Sequence, residues 1–149
     1  MRRLDQVVPL AATGVAQPGY DYLVGRGVPA QRLDELIPQF DLRFDEQERR
    51  VVFPVREAGR DLGYTARSID ARQRKRWIDY PYENCHKTTI YDADRVRAGG
   101  NTLFIVEGPF DALMVTAAIQ PGNSSVATAF FGSLPTNVQL ARVVAAVPF

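Results

Sequence analysis

Two acidic residues, Glu107 and Asp111, lie four positions apart directly after a short apolar run. A carboxylate that follows four apolar residues must be solvated, paired with a cation or bound to a metal ion. An acid in the first turn of a helix is common because it offsets the helix dipole, so Asp111 alone indicates little. The residues by themselves leave two interpretations of Glu107 open, a metal or ligand contact and a solvated carboxylate.

The elements that must position these acids are a strand and a helix joined by a tight turn. Residues 103–106 form a continuous apolar run with a β-branched pair, which is typical of a strand buried on both faces. Gly108 and Pro109 end this run, and Pro109 suits the first position of a helix. Because ligands of open α/β sheets bind outside the carboxyl ends of the strands, we expect Glu107 at such an opening with Asp111 near it.

The overall composition excludes several classes of protein. The chain has 149 residues, 46% of them hydrophobic, which suits one compact domain or a small domain with an appendage. Its formal net charge is +1, so the overall charge does not indicate a partner. Its single cysteine, Cys85, excludes an intrachain disulfide, and Cys85 with His86 cannot form a structural zinc site. No apolar run is long enough to span a membrane, so we expect a cytoplasmic protein with no membrane partner.

Positive charge is concentrated in the middle of the chain. Residues 49–87 contain 10 basic and 5 acidic side chains, whereas residues 1–48 contain 5 and 8. Basic and aromatic side chains follow one another closely there, namely Arg72, Arg74, Lys75, Arg76, Trp77, Tyr80 and Tyr82. A run of charges is usually a solvated loop, but basic groups beside aromatic rings are also typical of a groove for single-stranded nucleic acid. Composition leaves both interpretations open.

The amino-terminal patterns predict helices. Residues 1–18 show little periodicity, so we expect them to be loosely held. Residues 20–24 begin a helical pattern that glycines cut short, and residues 29–37 predict a second helix that Pro38 closes.

The patterns further along the chain predict a hairpin and then alternating strands and helices. Residues 50–69 predict a β-hairpin, with Pro54 at an edge or irregular position and Arg67 on the second strand. Residues 90–98 predict a strand end and a helix, and residues 125–130 predict a second buried strand. A final helix is predicted over residues 134–147, with an apolar register of Leu134, Val138, Leu140, Ala141 and Val144.

This succession predicts the fold class α/β, in which an α+β amino-terminal subdomain is followed by a partial parallel sheet of Rossmann-like type. The predicted division is a lead-in segment at residues 1–19, a first subdomain at residues 20–89 and a sheet subdomain at residues 90–149.

Several of these segments, in this order, resemble the catalytic core of bacterial DnaG-type and phage primases, including its Toprim domain. The segments are Tyr22-Leu-Val-Gly-Arg-Gly27, Arg50-Val-Val-Phe-Pro-Val-Arg56, Gly63-Tyr-Thr-Ala-Arg67, Arg76-Trp77, His86-Lys87, Ile105-Val-Glu-Gly-Pro-Phe-Asp-Ala-Leu113 and Ser125-Val-Ala-Thr-Ala-Phe-Phe-Gly132. The resemblance covers the chain from about Tyr20 onward. Arg76-Trp77 departs from it, because the family has a Lys-Tyr pair there.

The resemblance implies metal-dependent nucleotidyl transfer, in which RNA primers are made on a single-stranded DNA template from ribonucleoside triphosphates during replication. It implies Mg²⁺ or Mn²⁺ as cofactor, with Glu107 as a catalytic and metal-binding acid and Asp111 as a second catalytic acid. The basic residues that match the family's nucleic-acid or nucleotide contacts are Arg67, Arg76 and Lys87, and we add Arg72, Arg74 and Trp77 from the basic segment. A replicative helicase or a completing subunit is an implied partner.

One expected part of the metal site is missing from the sequence. A Toprim domain continues into a strand with an Asp-x-Asp pair, and this chain ends at Phe149 before such a pair. Asp92-Ala-Asp94 has the same letters but precedes Glu107 in a predicted helix. We therefore expect a weak or incomplete metal site in this chain.

Two alternatives remain open. One is a non-catalytic protein, or a subunit needing a partner, that binds single-stranded nucleic acid. The other is a Toprim nuclease, which would share the acid motif but not the segments at residues 22–27 and 50–67. A topoisomerase would need a nucleophilic tyrosine in a further domain.

Overall fold

A computed structural model of the chain describes residues 3–80 and 85–146. Tyr82 and Val147, which occur in two of the sequence predictions, lie outside the described residues. The chain divides into two compact units, of which the first is Met1–Pro54 with Gly63–Tyr80 and the second is Val55–Leu62 with Pro81–Phe149. One antiparallel and one parallel sheet are present, so the predicted α/β class is confirmed.

The described part of the first unit contains two α-helices, two short 3₁₀ helices (Leu4–Gln6 and Gly14–Ala16) and a five-stranded sheet with strand order β1-β2-β3-β4-β5. In chain order its elements are β1 (Val8–Pro9), α1 (Gln17–Gly25), α2 (Ala30–Phe40), β2 (Arg43–Asp45), β3 (Arg50–Glu57), β4 (Arg60–Ser68) and β5 (Trp77–Tyr80). The turn between β3 and β4, with the adjoining ends of both strands, belongs to the second unit. The predicted hairpin is therefore present, and its turn lies at Ala58 and Gly59.

Helix α2 buries one face and ends later than predicted. Leu33 and Leu36 are fully buried, as the helical period predicts. Pro38 was expected to close the helix, but α2 continues to Phe40 and ends at Asp41, which has a left-handed backbone. A proline removes one backbone hydrogen bond, and in the last turn of a helix with a well-buried face this loss is tolerated.

Residues 7–9 are held more firmly than the sequence predicts. Strand β1 pairs antiparallel with β2, with Val8 opposite Phe44. Val7 is buried and packs in one cluster with Val52 and Tyr64. The expectation of a loose segment is wrong here because these few apolar side chains have partners in the sheet that a short, aperiodic sequence does not reveal.

Pro54 of the predicted hairpin lies on β3. The pairing of β2 with β3 ends at Val52, so Pro54 lies where β3 has no β2 partner and its missing N–H costs nothing on that side.

Strand β5 was not predicted, because its residues belong to the polar basic segment. It pairs antiparallel with β4, and Arg67 lies directly opposite Trp77.

The second unit carries the parallel sheet. Its further elements are α3 (Cys85–Thr88), α4 (Ala93–Ala98), β6 (Leu103–Val106), α5 (Pro109–Ala118), β7 (Val126–Ala129) and α6 (Asn137–Ala145). Strands β6 and β7 pair in parallel, with Leu103 opposite Val126 and Val106 opposite Ala129. The predicted succession of strand, turn and helix around Glu107 is confirmed, and Pro109 is the first residue of α5.

Two predicted burial patterns in this unit are wrong. Strand β6 was expected to be covered on both faces, but Phe104 and Ile105 are 41% and 46% exposed. Their side chains point to opposite faces of the strand, and both are exposed, so neither face of β6 is fully covered by the described residues.

Helix α6 buries a polar residue in place of its apolar ones. The predicted apolar register is largely exposed, since Leu134 is 87% and Val144 is 79% accessible. Gln139 is 1% exposed instead, and Val143 packs against the core cluster that includes Ile90 and Val96. The strand end predicted near residue 90 is also absent, although the Tyr91 N–H donates to the Ala129 carbonyl at 3.0 Å.

None of the helices within residues 3–80 and 85–146 has the length and apolar character that crossing a bilayer requires.

Candidate functional site

In the first unit, Arg67 is held between an aromatic ring and a tyrosine hydroxyl. Its Nε donates a hydrogen bond to the hydroxyl of Tyr22, on α1, at 2.7 Å. Its guanidinium lies over the Trp77 ring, 5.2 Å from the centroid, in a cation–π contact. Trp77 also packs at 43° against Phe53, with ring centroids 5.8 Å apart. Strand pairing positions Arg67 and Trp77, while α1 supplies the third group.

The basic segment between β4 and β5 is exposed but fixed at one end. The side chains of Arg72, Arg74 and Arg76 are exposed to solvent. Buried Arg50 donates from its two terminal nitrogens to the carbonyls of Arg76 at 3.1 Å and Lys75 at 2.9 Å. The buried guanidinium thus fixes the backbone directly before Trp77, and the cations that precede it can reach a polyanion.

In the second unit, Glu107 lies at the carboxyl end of β6, as predicted. Its side chain is exposed, and its backbone carbonyl accepts a hydrogen bond from the Gly132 N–H at 2.9 Å. Asp111 is exposed in the first turn of α5. Its carboxylate turns back toward the start of the helix, since a methyl group on Gly108 would lie 3.9 Å from Oδ2. Both acids are therefore accessible beside the same turn.

Lys87 is exposed on the short helix α3, whose backbone carbonyls accept hydrogen bonds from side chains at the start of α6. The Lys87 carbonyl accepts from the Thr136 hydroxyl at 2.7 Å. The neighbouring His86 carbonyl accepts from the buried Gln139 amide at 2.8 Å. The His86 ring also packs edge-on against Phe131, with centroids 5.1 Å apart.

Phe131 connects the segments that carry Lys87 and Glu107. It follows β7 with a backbone φ of 61°, a left-handed conformation that is strained for a bulky residue. Its ring contacts His86, and the next residue, Gly132, binds the backbone of Glu107. No pattern in the sequence indicates a left-handed phenylalanine, so this connection was not predicted.

The acids do not fit a metal site that is complete by itself. Among residues 3–80 and 85–146, no group of three or more His, Cys, Asp or Glu side chains could hold a metal ion. Glu107 and Asp111 are the two acids at the turn after β6, and Mg²⁺ generally needs one or two carboxylates together with substrate phosphates and water.

The Asp92-Ala-Asp94 segment serves the fold of the second unit. The Asp94 carboxylate accepts the N–H groups of Ala58 and Gly59 at 2.7 and 3.0 Å. These hydrogen bonds, that from Gly59 first, lower the pKa of Asp94. Asp92 lies in a left-handed conformation at the start of α4, and burial raises its pKa to about 7.

Comparison with solved structures matches this fold to primase catalytic cores. The E. coli primase catalytic core has a TM-score of 0.71 and 20% identity over 90% of this chain and 54% of that chain. The DnaG catalytic core has a TM-score of 0.70, 20% identity and coverage of 90% and 53%. The DnaG primase catalytic domain bound to ssDNA has a TM-score of 0.64, 20% identity and coverage of 90% and 54%.

The chain spans about half the length of these solved structures. No protein-family model and no curated protein matches it. Over nine-tenths of its length, the chain therefore has the fold of the DnaG primase catalytic core.

Proposed function

We propose that this chain is a DNA primase-type core that binds single-stranded DNA and takes part in the metal-dependent synthesis of RNA primers. The observation that carries the proposal is the DnaG-core fold over 90% of the chain, with Glu107 at the carboxyl end of a parallel strand. A solved neighbour of this fold is bound to single-stranded DNA.

The basic residues are proposed to hold the template or the incoming nucleotide through phosphate groups. Arg67, Arg72, Arg74 and Arg76 supply this charge in the first unit, and Lys87 supplies it in the second. Arg76 can contact a phosphate through two nitrogens at once, which the lysine of the resembling family cannot do.

Glu107 and Asp111 are proposed as the acids of a Toprim-type site. Both are exposed beside one turn. His86, the neighbour of Lys87, contacts Phe131, and the next residue, Gly132, donates a hydrogen bond to the Glu107 carbonyl. Because the described residues do not fit a self-sufficient metal site, Mg²⁺ or Mn²⁺ would need further oxygen ligands. Substrate phosphates and water would supply some of these ligands, and we propose that a completing segment or subunit supplies the others.

The first prediction concerns binding of single-stranded DNA. Arg67→Ala and Arg76→Ala should each reduce the slope of log affinity against log salt by about 0.7, the value for one lost phosphate contact on a single strand. Fluorescence anisotropy of a labelled oligothymidylate, titrated at several salt concentrations, measures this slope.

The control removes a positive charge elsewhere in the same unit. Arg32, on α2, forms an ion pair with Glu35 and lies outside the basic segment. Arg32→Ala should leave the slope unchanged. Equal slopes for the wild type, Arg67→Ala and Arg76→Ala would argue against phosphate contacts at the basic segment.

The second prediction concerns catalysis and the metal. The isolated chain should show weak Mn²⁺ binding by electron paramagnetic resonance, and Glu107→Gln should weaken it further because one oxygen ligand loses its charge. Primer synthesis on a single-stranded template should be at or near background with Mg²⁺ or Mn²⁺. Efficient synthesis by this chain alone would show that its own residues complete the site.

A second candidate function is single-strand binding without catalysis, as a separate protein or as a subunit. The small number of acids at the candidate site favours it. Single-strand binding that persists in Glu107→Gln, together with no synthesis when a primase fragment carrying further carboxylates is added, would support this alternative. Cleavage of a plasmid substrate would instead support a Toprim nuclease.

A further inference from the structure

In the first unit, the side chain of Arg67 contacts Tyr22 of α1 and Trp77 of β5. A free arginine side chain samples many rotamers, so fixing it in one orientation costs conformational entropy. Two of the contacts that restrain Arg67 before any ligand arrives are a hydrogen bond from Nε to the Tyr22 hydroxyl and a cation–π contact with the Trp77 ring.

The two contacts constrain different properties of the guanidinium. The Trp77 ring sets the position of the group above β5, because Arg67 and Trp77 are directly opposite each other on paired strands. The Tyr22 hydroxyl sets the rotation of the group, because it engages one edge of the planar fork. A planar cation whose position and rotation are both set is suited to a phosphate, which arginine binds through parallel N–H bonds.

We propose that Tyr22 is a positioning residue for Arg67, and that Trp77 carries the Arg67 guanidinium on its ring, so that a pre-oriented guanidinium meets a nucleic-acid phosphate. The inference rests on the proposed function, since it requires that the first unit bind single-stranded DNA. It also changes the role expected for Trp77, because the indole contacts Arg67 where the sequence indicated stacking on a base.

The chain offers a closely matched control for Tyr22. Tyr20 lies on the same helix and also uses its hydroxyl, which donates to the Asp34 carboxylate at 2.8 Å and lies 3.3 Å from the Ala30 carbonyl. Tyr20→Phe and Tyr22→Phe each delete one hydroxyl. Tyr20→Phe should lower the melting temperature and leave affinity for single-stranded DNA unchanged.

Tyr22→Phe should show the reverse pattern. The melting temperature should stay near that of the wild type, and affinity for a labelled oligothymidylate should fall about three- to tenfold, because the guanidinium must now be ordered during binding. The salt slope should be retained, since the charge of Arg67 remains. Equal affinities for Tyr22→Phe and the wild type would overturn the inference, as would equal losses in both tyrosine variants.

A second measurement needs no nucleic acid. Trp77 is the only tryptophan in the chain, so intrinsic tryptophan fluorescence reports on this ring alone. Quenching by acrylamide should increase strongly in Arg67→Ala, which uncovers the ring, and partly in Tyr22→Phe, where the guanidinium is less restrained. Tyr20→Phe should quench like the wild type.

The two measurements separate failure of the inference from failure of the proposed function. If the wild type does not bind single-stranded DNA, the proposed function is overturned and this inference with it, whatever the quenching. If the wild type binds but quenching and affinity in Tyr22→Phe match the wild type, only the positioning role of Tyr22 is overturned.

Discussion

Replacement of Gln139 by leucine is expected to lower the free energy of unfolding by about 3–5 kcal/mol. The Gln139 Nε2 atom lies 2.8, 3.0 and 2.9 Å from the carbonyl oxygens of His86, Thr89 and Phe130, which share its two N–H donors, and its Oε1 accepts from the Thr136 N–H at 2.9 Å. Gln139 is 1% exposed, so the carbonyls and the N–H group that lose their hydrogen-bond partner would have little access to water. Urea unfolding followed by circular dichroism measures the loss.

The adjacent residue provides the control. Leu140 is 43% exposed, and Leu140→Ala should cost less than about 1 kcal/mol because little apolar area leaves the core. The apolar pattern of the sequence predicts the opposite order, with Leu140 in the buried register and Gln139 on the surface. A larger loss for Leu140→Ala than for Gln139→Leu would contradict the structure of α6.

The same replacement should also loosen the segment that carries Lys87. Two of the three carbonyls, those of His86 and Thr89, flank Lys87. Hydrogen exchange of the amides at residues 86–91 should therefore speed up in Gln139→Leu more than exchange in β3 or β4, to which none of these Gln139 hydrogen bonds goes.

Local sequence patterns were sufficient for the segment that carries Glu107. Its strand end, the Gly108-Pro109 turn and the helix that begins at Pro109 depend on residues within a few positions of one another. The same holds for the β3–β4 hairpin. Such features are predictable because propensity and turn chemistry act over short distances.

Burial was less predictable, because it depends on which other elements are present. A four-residue apolar run such as Leu103–Val106 indicates a strand, but it does not state whether neighbours cover both faces. In α6 the apolar residues suggested the buried side. The better signal was Thr136-x-x-Gln139, a capping-box pattern that also marks the start of the helix in the structure.

The contacts of Arg67 could not be derived from spacing. Trp77 is ten positions away in a segment with the composition of a solvated loop, and it meets Arg67 only because that segment forms β5. Tyr22 is forty-five positions away, on a helix. The sequence suggested the basic and aromatic residue types, whereas their pairing depends on strand register.

Asp92 is expected to make the second unit less stable as the pH rises. Burial is the main cause that raises its pKa from 3.8 to about 7, Arg95 partly offsets the effect, and Asp94 adds to it. One carboxylate oxygen is buried and accepts no hydrogen bond from the described residues, and Arg95 Nη1 is 3.8 Å from it. Between these pKa values the folded state keeps a proton that the unfolded state has lost. Stability should therefore fall as the pH rises from about 4 to about 7, by at most about 4 kcal/mol.

Asp92→Asn should remove this dependence. Asparagine has nearly the same shape as the protonated acid and tolerates the left-handed conformation of this position, where φ is 56°. Urea unfolding should give similar stabilities for the variant and the wild type at about pH 4.5, and a more stable variant at about pH 8. A constant difference between the two proteins across this range would contradict the raised pKa.

Asp94→Asn supplies the control with the opposite sign. Hydrogen bonds from the Gly59 and Ala58 N–H groups lower the pKa of Asp94, so the ionised form stabilises the folded state above the usual pKa and this contribution is lost on acidification. Asp94→Asn should therefore be less stable than the wild type at neutral pH and approach it in acid. The contributions of the two aspartates to stability would then depend on pH in opposite directions. This result is expected if burial raises the pKa of Asp92 while Asp94 accepts hydrogen bonds from the β3–β4 turn. A pair of metal ligands would instead respond together when Mn²⁺ is added.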